Sequence, residues 1–143
     1  MEQPRTLRRA ATVRSILAAT VLARIAVLGT NRVFVAADDG RTIVTLDAVS
    51  GVVRRVYRSG GFVSDVAVDT RTGTLLLATL NGTASGGPAR GSVRVLDEAT
   101  GTVLRVVAVG MGPLRVAVDD ADRRAVTVNY NDGTASIIAL PRR

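Results

Sequence analysis

Two short motifs return along this chain at one spacing. Leu46-Asp47-Ala48-Val49-Ser50-Gly51 recurs as Leu96-Asp97-Glu98-Ala99-Thr100-Gly101, and Val66-Ala67-Val68-Asp69 recurs as Val116-Ala117-Val118-Asp119, each 50 residues further on. Independent motifs sharing one period mean that a structural unit is repeated, and this restricts the fold more than any compositional property does. Within one period, Val-rich stretches of strand length are separated by Gly, Asp, Ser and Thr, with no helical period between them. Strands are therefore expected at residues 63–69, 74–80, 92–97 and 102–109. Upstream, the same reading gives 33–37, 42–46 and 52–57, with a first strand at 25–28. Downstream, a third unit runs from 114 to Leu140, where Pro141-Arg142-Arg143 supplies no fourth strand.

Four antiparallel strands per repeat are the content of a β-propeller blade. The expected fold class is all-β: a partial propeller of about three four-stranded antiparallel blades, at about 25–57, 63–109 and 114–140, the last lacking its outer strand. The connecting turns follow from residue chemistry. In Asp47-x-x-Ser50-Gly51, Asp69-x-x-Thr72-Gly73 and Asp97-x-x-Thr100-Gly101, the carboxylate can accept backbone N–H groups inside the turn and the Gly can take the positive φ that returns the chain. A residue recurring once per blade at a turn serves the blade, so these Asp residues are expected as structural elements and not as catalytic acids or ligands.

The order of these signals resembles the YVTN-type β-propeller repeat family, related in architecture to quinoprotein-like propellers. The matching segments are Ser92-Val93-Arg94-Val95-Leu96-Asp97, Thr100-Gly101, Val109-Gly110-Met111-Gly112-Pro113, Val116-Ala117-Val118, and Asn129 with Asp132-Gly133-Thr134, over about residues 25–140. The resemblance implies the fold, with Gly112 and Pro113 as turn residues between blades, and it implies no particular activity. The name-giving tetrapeptide is not kept: Val126-Thr127-Val128-Asn129 retains only the Asn.

Residues 1–24 differ from the rest. They carry Arg5, Arg8, Arg9, Arg14 and Arg24 against Glu2, so +4 of the +7 net charge sits there and +3 on the remainder. Basic residues followed by the apolar run Ile16 to Ala23 have the pattern of an export leader, with Val21-Leu22-Ala23 as a candidate cleavage site. The alternatives are a basic, Ala-rich helix packed on the first blade, or a blade remnant that has drifted in sequence. Arg24 breaks the apolar run well short of the roughly 20 residues a transmembrane helix needs, so no transmembrane span is expected. The location is exported on the first reading and cytoplasmic on the others.

Composition narrows the function. The chain has no His and no Cys, which removes the Ser-His-Asp triad, thiol chemistry, zinc ribbons and disulfides. All nineteen basic residues are Arg, but neither Arg54, Arg55 and Arg58 nor Arg123 and Arg124 has stacking aromatics beside it, so no nucleic-acid partner is expected. Asp119-Asp120-Ala121-Asp122 and Asp38-Asp39 are oxygen-rich but lack the spacing of a dedicated calcium loop, and no metal or other cofactor is expected. Residues 81–91 form a Gly-rich loop longer than its counterparts at 38–41 and 130–134, with Asn81, Ser85 and Arg90 as candidate binding residues.

Together these observations favour a non-catalytic repeat module that scaffolds a protein or small-molecule ligand. Two alternatives stand beside it: a segment of a lactonase-like or lyase-like propeller enzyme whose catalytic groups lie on other blades, or a fragment without independent function. Closed propellers have about 4 to 8 blades, and a three-blade arc exposes two Val-rich faces and open sheet edges. The expected partners are therefore further blades, either within a longer chain or by head-to-tail self-assembly.

Overall fold

The computed structural model describes residues 22–27, 31–37, 39–80 and 90–142, the first of these segments by its backbone alone. Eleven strands form three antiparallel sheets, and no helix occurs among the described residues. Sheet 1 holds β1 (Leu22–Val27), β2 (Arg32–Ala37), β3 (Thr42–Asp47) and β4 (Val53–Arg58). Sheet 2 holds β5 (Phe62–Asp69), β6 (Thr74–Leu80), β7 (Arg90–Asp97) and β8 (Val103–Met111). Sheet 3 holds β9 (Pro113–Asp119), β10 (Arg124–Asn129) and β11 (Thr134–Ala139). Each sheet is a meander whose spatial order follows the sequence, so this is an all-β arc of three blades with four, four and three strands.

The strands form where period-2 apolar patterning lets a pleated surface be buried on both faces. In β6, Leu75 and Leu77 face sheet 1 and share a core with Phe34, Ala36, Ile43, Val63, Val66 and Leu96. The alternate residues Leu76 and Ala78 face sheet 3 and pack with Val93, Val116, Ala125, Ile138 and Leu140. β5 touches both β1 and β9, which makes the first strand of each sheet the inner one. The fourth strands, β4 and β8, lie on the outside and are mostly exposed.

Two strand starts depart from the sequence expectation by two residues or more. β1 begins at Leu22, not Ile25, so Leu22 and Ala23 of the candidate cleavage tripeptide stand in a strand. Their place is fixed by pairing with β2, Leu22 opposite Ala37 and Arg24 opposite Ala36, with a register shift between them. The remainder of the 1–24 segment lies outside the described residues. β7 begins at Arg90, which pairs with Met111 and is thereby a strand residue and not part of the preceding loop.

The two outer faces of the arc differ in exposure. On the face of sheet 1 turned away from sheet 2, Val35, Val44 and Leu46 are buried and Val33 packs against them. On the face of sheet 3 turned away from sheet 2, Val126, Val128 and Ile137 are exposed.

Candidate functional site: turns, blade junctions and inter-blade grooves

Because successive strands alternate in direction, the turns opened by Asp47, Asp69, Asp97 and Asp119 gather at one end of the arc. Asp47 Oδ1 accepts the N–H of Val49 at 2.9 Å and of Ser50 at 2.8 Å, while Oδ2 accepts from Asn31 and from Arg54. Asp97 Oδ1 accepts the N–H and hydroxyl of Thr100 at 2.8 and 3.1 Å. Asp119 Oδ1 accepts the N–H of Ala121 at 3.1 Å and of Asp122 at 3.3 Å. Gly51, Gly73 and Gly101 close their turns at φ of 71°, 66° and 76°. Gly101 has a second constraint: a Cβ there would lie 2.9 Å from Cγ of Tyr57, because the Tyr57 ring of sheet 1 rests on this turn of sheet 2. Burial pushes the Tyr57 hydroxyl up to about 12.

Asp69 does more than hold its turn. It accepts the N–H of Arg71 at 3.2 Å and the Thr72 hydroxyl at 2.6 Å, and it also takes the Arg123 guanidinium of sheet 3 through two bonds of 2.9 and 2.6 Å. Both side chains are almost fully buried. Arg123 further donates to Asp120 at 2.8 Å and to the Pro141 carbonyl through Nε at 2.9 Å and Nη2 at 2.8 Å. Burial opposes ionisation of Asp69, but the Arg123 and Thr72 hydrogen bonds outweigh it and hold the carboxyl below the usual range.

At the opposite end, the link between sheets 2 and 3 runs through Gly112 and Pro113. Gly112 has φ of 68°, and a Cβ on it would meet Asn131 at 2.6 Å, so this connection needs glycine on both counts. The Pro113 carbonyl accepts the buried Ser64 hydroxyl. Asn129 is buried and its amide donates to Thr134 Oγ1 at 3.1 Å and Ser136 Oγ at 2.9 Å. Asp132 accepts the Thr134 hydroxyl at 2.6 Å and the Met111 N–H at 2.9 Å, which ties the β10–β11 turn to the end of β8.

Of the acidic residues singled out from sequence, Asp39, Asp119 and Asp120 are engaged in the fold, and Asp38 lies outside the described residues. Asp39 receives the Thr42 hydroxyl and the N–H of Arg41, and Asp120 pairs with Arg71 and Arg123. Among the described residues, no group of three or more His, Cys, Asp or Glu could hold a metal ion, and no helix is long and apolar enough to cross a membrane. Arg90 is exposed at the start of β7, whereas Asn81 and Ser85 lie outside the described residues.

Two grooves that sequence reading missed lie between sheets 1 and 2. One, of about 390 Å³, is lined by Arg32, Thr72, Gly73, Asp97, Glu98 and Ala99. The other, of about 280 Å³, shares Arg32, Glu98 and Ala99 and adds Thr45, Arg54 and Arg55. An ion pair between Arg32 and Glu98, which line both grooves, spans the two sheets. A register shift between Thr45 and Leu46 lets two consecutive residues of β4 oppose one of β3, and such a bulge re-aims the side chains beside it. Arg54 and Arg55 border the smaller groove as a result.

Asp39, Asp47, Asp69 and Asp132 all ionise below the ordinary carboxylate range, each held there by hydrogen bonds in the folded chain. For a group depressed by folding, the stabilisation is complete above the unfolded value and is lost as pH falls through the folded one. The denaturant midpoint is therefore expected to be level from neutrality to about pH 4 and to drop steeply below it. The same titration of Asp69→Asn should give a shallower acid limb, and an unchanged limb would remove this carboxylate from the account.

No family model matches this chain, and no curated protein matches its sequence. Among solved structures it is similar to Sqt1 of Saccharomyces cerevisiae, a propeller, with a TM-score of 0.62 and 18% identity. The similarity covers 85% of this chain and 31% of the Sqt1 chain, so the chain spans about a third of that structure's length. At this identity the likeness establishes the fold alone, a partial β-propeller.

Proposed function

We propose that the chain is a non-catalytic β-propeller module of YVTN type that serves as a protein-binding scaffold. The observation that supports this most is the face of sheet 3 turned away from sheet 2. Val126 is 38%, Val128 49% and Ile137 66% exposed, whereas Leu76 and Ala78 on the corresponding face of sheet 2 are 0% exposed. A contiguous apolar sheet face beside the edge of β11, which is unpaired among the described residues, is the kind of surface that folded proteins keep for a partner. The carboxylates of the Asp-initiated turns bond within their own blades and, at Asp69, across to sheet 3, whereas the face has no structural use among the described residues.

The reading is tested with an environment-sensitive apolar dye and light scattering. The folded chain is expected to bind the dye or to associate as its concentration rises, and Val126→Lys/Ile137→Lys is expected to abolish both while leaving the β-sheet circular dichroism unchanged. A wild-type chain that stays monomeric at all concentrations and binds no dye would overturn it. Hydrolysis of simple lactones by the isolated chain, with or without divalent metal, would instead favour the enzyme-segment alternative.

A further inference from the structure

The three sheets can be superimposed residue by residue through one backbone feature. Asn31, Gly73 and Arg123 immediately precede the second strands of sheets 1, 2 and 3, and all three have positive φ, at 61°, 66° and 53°. Counting from them, Phe34, Leu76 and Val126 occupy one position, and Ala36, Ala78 and Val128 another. The first two residues of each set are 0% exposed because the next sheet covers them. The third of each set is open. Sheet 3 thus repeats the surface on which sheets 2 and 3 already dock, and continues an established interface.

The charges on this face specify what can dock. In the existing junction, Asp69 of sheet 2 receives Arg123 of sheet 3, and Arg115 of sheet 3 lies 3.9 Å from Asp65 of sheet 2. At the 50-residue offset, Asp119 takes the place of Asp69 and Arg115 takes the place of Asp65. Asp119 uses Oδ1 for its own turn and, among the described residues, makes no ion pair. The first site is therefore ready for a guanidinium, and the second has reversed sign.

A second copy of this chain cannot supply the docking element in blade fashion. Its sheets 2 and 3 already have their docking faces against a neighbour, and the corresponding residues of sheet 1, Val35, Val44 and Leu46, are buried as well. Resting on the scaffold reading above, we infer that the open face of sheet 3 receives a further propeller blade of different sequence. That blade carries an Arg at the turn position of Arg123, which enters the Asp119 carboxylate, and an acidic residue at the position of Arg115, which meets Arg115.

The test exploits the absence of cysteine. Val126→Cys is introduced into the full chain and into the full chain continued beyond Arg143 by a copy of residues 98–142 whose Arg115 position is Glu; this copy supplies an outer strand and a docking sheet. The rate of thiol labelling by a soluble maleimide is measured in both, with Leu76→Cys as the buried reference. Labelling of Val126→Cys is expected to slow at least tenfold in the extended chain, and to recover in part when the copy's Arg123 position is Ala. Unchanged labelling, with the reference still protected, would overturn the inference while leaving the dye result intact. Concentration-dependent protection of Val126→Cys in the unextended chain would also overturn it, by showing that a second copy covers the face. Loss of protection at Leu76→Cys in the unextended chain would count against both readings, since sheets 2 and 3 would not be docked.

Discussion

Asp69→Asn is expected to lower the unfolding free energy by about 3 kcal/mol, a drop in Tm on the order of 10 °C for a chain of this size. The side chains of Asp69 and Arg123 are 1% and 4% exposed, and the pair joins residues 54 positions apart on different sheets. Taking two charges out of water is costly, and only their mutual contact and further hydrogen bonds offset it. Asparagine keeps the shape but not the charge, so the guanidinium stays buried facing Asp120, which is half-exposed, and the Pro141 carbonyl. Arg123 also sits at φ of 53°, a left-handed conformation that costs a non-glycine residue about 1–2 kcal/mol. That strain is held in place by the ion pair. The double variant Asp69→Asn/Arg123→Gly removes the stranded charge and relieves the backbone together, and is expected to recover more than half of the loss. Denaturant titration of the three proteins checks this; a single variant within about 0.5 kcal/mol of wild type would mean the pair is solvated.

Much of this arrangement was legible in the sequence, and the reason is that blades are local. Asp47, Asp69 and Asp97 bond within four residues of themselves, and strand pairing follows from adjacent segments of period-2 pattern, so turn chemistry and periodicity sufficed to place the sheets. The first strand was harder to place. Leu22-Ala23-Arg24 follows a basic, Ala-rich stretch whose composition matches a leader, and only pairing with β2 shows where the strand begins. The blade junctions were not legible either, because Arg123 with Asp69, Arg32 with Glu98, and Ser64 with Pro113 lie 54, 66 and 49 residues apart. One signal for them did exist. Aligning the repeats puts Arg123 where Asn31 and Gly73 stand, and a bulky residue at a position otherwise held by Asn and Gly marks a backbone strain that some contact must support. The open face follows the same logic in reverse: the apolar residues at 126, 128 and 137 repeat the pattern of buried positions, and only the three-dimensional count of blades shows that nothing in the described chain covers them.

That asymmetry gives the second large effect, a pair of truncations at one repeat position. Leu76→Ala removes a fully buried side chain from the core between sheets 2 and 3, where it packs with Val93, Val116 and Ala125. Deleting a buried Leu loses its transfer free energy and leaves a cavity that the surrounding strands refill only in part, for a cost of about 3 kcal/mol. Val126→Ala, 50 residues on, makes the same kind of change at the equivalent position of sheet 3, where the side chain is 38% exposed and has no sheet against its outer side. Water already reaches the site, so no closed cavity forms and the expected loss is below about 1 kcal/mol. The difference belongs to the blade interface and not to strand propensity, since both positions lie in the second strand of a meander. Joined to the extended chain, the comparison becomes a switch: once a further blade covers sheet 3, Val126→Ala should cost about as much as burial of a valine side chain contributes, roughly 2 kcal/mol. A repeat protein is stabilised by its nearest-neighbour interfaces as well as by each unit alone. The cost of one substitution at position 126 therefore reports whether sheet 3 has acquired its neighbour.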